Sequence, residues 1–241
     1  MFIMERKLMK CRVAELNIEI LSRYRYLEDI CGKYAADFSS ADLVLSASRE
    51  DLEYEKRVAV DRKITQGKLE SVAVCRKLSL ELPRFDSFML HAATFELDGR
   101  GIAFFAKSGT GKSTHMLLWK ELFGEKLQII NGDKPIVRLK DGVPFAFGTP
   151  WCGKEGLSQN RSVVLSDLCF IKRSNENSTR RLEKSEALKL LLEQVAIPVG
   201  SENILKLLDL LDRTISHCNL WEISCNTDFA AAKQSSSIIL R

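Results

Sequence analysis

The residues with the clearest chemistry lie in one stretch, Ala106-Lys107-Ser108-Gly109-Thr110-Gly111-Lys112-Ser113-Thr114. Gly109 and Gly111 let the backbone take left-handed or crowded conformations, so successive N–H groups can point inward at an anion. A helix beginning near Lys112 would add the positive end of its dipole. Lys112 would neutralise β/γ-phosphate charge, and the Ser113 hydroxyl would ligate Mg²⁺. This is the chemistry of a Walker A-type P-loop. One position departs from the full pattern, which has glycine where this chain has Ala106. An ordinary glycine-rich strand-to-helix turn is the plain alternative, and it leaves Gly-Lys-Ser-Thr at a helix start unexplained.

Three further places could carry chemistry. Asp133 closes the apolar run 126–130, where a P-loop fold puts an acid that holds Mg²⁺ or accepts a hydroxyl proton. Its competing reading is a simple Asn-Gly-Asp turn. His91 precedes the loop, and a lone histidine is more often structural than functional. His115 reads as a helix-face residue and His217 as a surface one. The stretch 148–156 holds Gly148, Gly153 and Gly156 with Lys154 and Glu155 and has no core period. Loops of this kind often approach ligands. Glu155 could serve as a second Mg²⁺ ligand and Lys154 could steady phosphoryl charge. A surface connector anchored by Trp151 is the equal alternative.

The elements that must position these residues follow from periodicity. Gly101 to Phe105 is an apolar strand entering the loop, and 115–123 is a helix closed by Gly124. Met89 to Leu97 and 101–106 form two strands about an Asp98-Gly99 turn, and Asp141-Gly142 marks a second hairpin. Strands are expected at 11–21, 42–46, 126–130, 163–172 and 220–224. Helices are expected at 23–36, 49–60, 68–82, 185–194, 202–215 and 230–239, with Pro83 ending the third. Residues 173–181 read as an exposed polar loop. The pattern changes after Pro83, which divides the chain into a small α/β lobe over 1–83 and a core over 84–241.

Bulk properties narrow the class. The chain has 241 residues, 45% hydrophobic and 28% charged, as expected of a globular protein. A net charge of +4, with both signs interspersed, gives no support for nucleic-acid binding. The seven cysteines are scattered without metal spacing, which reads as reduced thiols in a cytoplasmic protein. The basic N-terminus lacks an apolar segment behind it, so no signal peptide is expected, and no apolar run is long enough for a membrane span.

His91 in Leu-His-Ala, a two-strand hairpin, Ser-Gly-Thr-Gly-Lys-Ser-Thr, and Asn-Gly-Asp after the next strand together resemble HPr kinase/phosphorylase. More broadly they resemble the phosphoenolpyruvate carboxykinase-like superfamily of P-loop kinases. The loop Gly-Thr-Pro-Trp-Cys-Gly-Lys-Glu-Gly is similar to one in short bacterial members of that group. The likeness is strongest over 88–172. It implies an α/β fold, a P-loop core of that type with a mixed β-sheet, preceded by the small N-terminal lobe. Some short relatives phosphorylate a serine of a lasso-type peptide.

By position, the resemblance implies that Ser108, Gly109, Thr110, Gly111, Lys112, Ser113 and Thr114 bind nucleotide. It makes Asp133 the acid that takes the serine proton, His91 the histidine beside it, and Lys112 the third catalytic group. Ser113, Asp133 and Glu155 are the expected metal ligands. The family usually has a second acid straight after the first, and this chain has Lys134 there; with an alignment shifted by one, Asp133 becomes the second acid and Gly132 stands at the first. One carboxylate is absent either way. The expected activity is ATP- and Mg²⁺-dependent phosphoryl transfer to a serine of a small protein or peptide, without nucleic-acid or membrane partners and compatible with a homo-oligomer. A non-catalytic ATP-binding regulatory or docking module is the alternative that Ala106 and the absent acid favour. A carboxykinase proper would be longer.

Overall fold

The computed structural model describes residues 6–61, 63–107 and 109–241. The chain forms two compact units, Met1–Glu81 and Leu82–Arg241. In the first, β1 (Lys7–Val13) and β2 (Leu16–Ser22) form an antiparallel hairpin, followed by α1 (Arg25–Cys31), β3 (Leu43–Ser46), α2 (Arg49–Val58) and α3 (Gln66–Glu81). β3 lies parallel to β2, giving the order β1-β2-β3. The single strand expected over 11–21 is in fact the end of β1, a turn, and most of β2. The turn is Ala14 and Glu15, at φ 51° and 63°, neither of which is a turn-forming residue type.

Two polar arrangements hold this unit. Buried Glu70 on α3 accepts from the Ser22 hydroxyl and from the backbone N–H groups of Arg23 and Tyr24, fixing the entry to α1. Ser48 and Asp51 form a capping box at the start of α2. Arg76 reaches back from α3 to Asp51 at 3.0 Å and Glu55 at 2.6 Å, so α2 and α3 are locked by partly buried ion pairs.

The second unit contains β4 (Ser87–Met89), β5 (Ala92–Leu97), β6 (Arg100–Phe105), α4 (Lys112–Phe123), β7 (Leu127–Asn131), β8 (Ile136–Lys140), β9 (Val143–Phe147), β10 (Ser162–Arg173), β11 (Ser178–Arg181), α5 (Lys184–Leu192), α6 (Ser201–His217), β12 (Asn219–Cys225) and α7 (Phe229–Ile239). Its nine strands form a mixed sheet in the order β4-β8-β9-β10-β6-β5-β7, with β12 also pairing β10, and β11 pairing β12. The stretch 173–181, expected as a loop, contains β11. That strand is polar because it is mostly exposed and pairs only with β12.

Side-chain alternation along the strands feeds a core on each face of the sheet. On β6, Ile102 and Phe104 join Phe95, Cys169, Met116 and Trp119 under α4 and α7. Ala103 and Phe105 join Leu168, Leu191, Leu207 and Leu211 under α5 and α6. β10 carries buried Asp167, which accepts from Arg100 Nη2 at 2.8 Å, Trp221 Nε1 at 3.0 Å and Asn219 Nδ2 at 3.1 Å. With three donors the buried charge is satisfied, and β6, β10 and β12 are tied together. Among the described residues no helix is long and apolar enough to cross a membrane.

Candidate functional site

Strand direction explains why distant residues meet. β5 runs antiparallel to both β6 and β7, so β6 and β7 point the same way and both end at the edge where β5 begins. β10 and β12 run parallel to β6 and end at this edge too. The glycine loop leaves β6 here, Asp133 follows β7, and His91 immediately precedes β5. Carboxyl ends of parallel strands are where open α/β sheets place ligands.

Three of the expected residues come together. His91 Nε2 lies 3.1 Å from Asp133 Oδ1 and 3.2 Å from Lys112 Nζ, and Lys112 Nζ lies 3.6 Å from Asp133 Oδ1. The Nε2 atom cannot donate to the carboxylate and accept from the ammonium at once. With Nε2–H donating to Asp133, Lys112 is held by the carboxylate alone and is free to move to another anion. Backbone bonds set the triad: His91 N–H donates to Gln194 O, and Ala92 N–H to Asp133 O.

Electrostatics favour an ionised Asp133. Burial pushes its carboxyl up, but the His91 hydrogen bond and the charges of Lys134, His91 and Lys112 outweigh that and hold it below the ordinary carboxylate range. Lys112 is pushed down by burial, with Asp133 opposing and Lys134 adding to the shift. Lys134, where the resemblance leads one to expect an acid, therefore acts as a second cation on the site.

The turn after β7, readable in the sequence as a simple Asn-Gly-Asp turn, is fixed by its first residue. Asn131 is fully buried, and its Oδ1 accepts from the N–H groups of Asp133 at 2.9 Å and Lys134 at 2.7 Å. Its Nδ2 donates to the carbonyl and hydroxyl oxygens of Thr149. Thr149 is also buried and donates its hydroxyl to Lys134 O. The only available sign was the Asn-x-Asp spacing of an Asx turn.

The stretch 148–156 packs against this turn. Gly153 has φ +82°, and a Cβ there would stand 3.1 Å from Asp133 Cβ and 3.3 Å from Glu155 Oε2. Asp133 and Glu155 thus flank the same glycine. Glu155 and Lys154 are exposed. Among the described residues there is no group of three His, Cys, Asp or Glu arranged to hold a metal ion. Of the three expected metal ligands, Asp133 and Glu155 flank Gly153, and Ser113 stands in the first turn of α4.

In the glycine loop, Gly109 is at φ +78° and Gly111 at φ +117°, and Gly111 caps the N-terminus of α4, so Lys112 and Ser113 stand in its first turn. Ser108 lies outside the described residues. An open cavity of about 450 Å³ adjoins the loop, lined by Thr110, Gly111, Thr114, Arg173, Asn226 and Thr227 among others. The triad does not line it. His115, in the first turn of α4 as expected of a helix-face residue, is buried at the cavity wall. Burial pushes it down to about 4, and its Nε2 pairs with Ser235 Oγ at 3.0 Å.

No protein-family model matches the chain, and no curated protein does. Among solved structures it is similar to the Hpr(Ser) kinase/phosphatase from Coxiella burnetii. That likeness spans 51% of this chain and 93% of the other at 12% identity, with a TM-score of 0.29. A superposition this loose fixes neither fold nor chemistry, and the site stands on its own geometry.

Proposed function

We propose that the protein is a Mg²⁺-dependent P-loop kinase that transfers the γ-phosphoryl group of ATP to a serine hydroxyl of a small protein or peptide. The convergence of Lys112, His91 and ionised Asp133 beside a glycine loop at a helix N-terminus is the observation that carries this reading. Loop N–H groups would hold the phosphates, and the cavity beside Thr114 is of a size to take the nucleoside. Lys112 would leave Asp133 for the phosphate chain. Bound Mg²⁺ would neutralise phosphate charge, with Ser113, Asp133 and Glu155 as its protein ligands. In the transfer step the bond between the γ-phosphorus and the bridging oxygen breaks, leaving ADP. A new bond forms to the serine oxygen, whose proton passes to Asp133. His91 keeps the receiving carboxylate in place. Catalysis of this kind is mostly positioning and charge neutralisation.

The test is radiolabelled phosphate transfer from ATP to a panel of serine peptides. Lys112→Ala and Asp133→Asn should each abolish transfer while circular dichroism stays unchanged. Robust transfer by Asp133→Asn would remove Asp133 from the role of base. A second reading, a non-catalytic ATP-binding module, is favoured by Lys134 standing where a second acid is expected. Nucleotide binding without turnover across the panel would select it.

A further inference from the structure

Arg173 has no place in the reading above, yet it touches the glycine loop directly. It is the last residue of β10, which runs parallel to β6 with Phe170 opposite Phe105. Continuing three residues past that pair brings Arg173 to the loop that follows β6. Its Nη2 donates to Gly109 O at 2.6 Å and its Nε to Thr110 O at 3.1 Å. The guanidinium is otherwise exposed and also borders the cavity beside the loop.

A loop that cradles an anion must turn its N–H groups inward, which sends its carbonyl oxygens outward. Two neighbouring carbonyls on the outside need donors. If either peptide turns over, a carbonyl oxygen faces the anion instead of an N–H. The glycines at 109 and 111 make such turning inexpensive. A guanidinium offers several N–H groups in one rigid plane, which matches two adjacent oxygens in a way a lysine ammonium does not.

We infer that Arg173 is a positioning residue for polyphosphate binding, acting through the carbonyls of Gly109 and Thr110 to hold the loop with its N–H groups facing the phosphates. This rests on the nucleotide-binding reading of the loop. The competing role is direct contact with a nucleoside in the adjoining cavity, and the ligands below separate the two.

The experiment is calorimetric titration of the full chain, with Mg²⁺, against ATP, tripolyphosphate and adenosine, for wild type, Arg173→Ala and Arg173→Lys. Arg173→Ala removes both charge-assisted hydrogen bonds to the loop and should weaken ATP and tripolyphosphate by about tenfold or more, leaving adenosine unchanged. Arg173→Lys should restore part of the loss. A thermal melt close to wild type keeps the comparison clean. If Arg173→Ala does not fold, the same pattern at about threefold in Arg173→Lys is the expected result. Equal weakening of adenosine and ATP would overturn the inference in favour of nucleoside contact, and unchanged ATP affinity would overturn it outright. Wild type that binds neither ATP nor tripolyphosphate would overturn the nucleotide reading itself, and this inference with it.

Discussion

Replacing Asn131 by alanine removes a fully buried side chain that bonds both the turn carrying Asp133 and Thr149 packed against it. Its assignment is unambiguous, because Thr149 O can only accept and the Asp133 and Lys134 N–H groups can only donate. Not every partner is orphaned by the change. Lys134 N–H retains Trp151 O at 3.1 Å, and Thr149 O retains the Ser158 hydroxyl at 2.8 Å. Asp133 N–H is the donor left without a replacement. Orphaning this half-buried donor costs about 2 kcal/mol, and the weakened bonding at Thr149 adds about 1 kcal/mol. Asn131→Ala should therefore lose about 3 kcal/mol in urea unfolding, a large part of the 5–15 kcal/mol typical of a domain. Asp133 would also lose its fixed position, and a shift of about 1 Å should lower kcat about 100-fold. Asn131→Asp keeps an acceptor for Asp133 N–H but sets an oxygen against Thr149 O, so it should be no more stable. A loss below about 1 kcal/mol with unchanged transfer would refute the claim that this amide holds Asp133 in place.

Two further outcomes follow from the same geometry. Gly153→Ala puts a Cβ 3.1 Å from Asp133 Cβ at a positive φ, so steady-state kinetics should show reduced kcat, and melting a loss of about 1 kcal/mol or more. His115 is held down to about 4 by burial, so the unfolded chain binds more protons than the folded one between there and about 6.5. Stability should thus fall as pH drops through that window, by up to about 3 kcal/mol, and His115→Gln should flatten this acid limb in pH-dependent unfolding.

Much of the second unit is legible in the sequence because its signals are local. Asp98-Gly99 and Asp141-Gly142 mark hairpins by residue types that tolerate positive φ, and the residues at 98, 99, 141 and 142 all adopt it. The turn at Ala14 and Glu15 carries no such types, so two strands read as one. β11 escaped because Ser178–Arg181 has no buried face to impose an apolar alternation. At the site, Lys112 and Asp133 stood out by residue type, whereas their meeting with His91 was implied only by the resemblance, since it depends on strand order, which periodicity does not encode. Asn131 and Arg173 bond to backbone atoms, and contacts of that kind leave no partner residue to look for in the sequence.

The placement of β5 between β6 and β7 has a metric consequence. Neighbouring strands lie about 4.8 Å apart, so the strand ends that carry the loop and the acid are separated by about 10 Å of backbone. Across that distance Lys112 and Asp133 still meet as an ion pair, Nζ 3.6 Å from Oδ1, because the lysine stem is long enough to reach. The intervening strand acts as a fixed spacer that only a long side chain can bridge. The backbone spacing therefore stays the same whether or not Lys112 keeps hold of Asp133, and its width belongs to the sheet rather than to any flexible part of the chain.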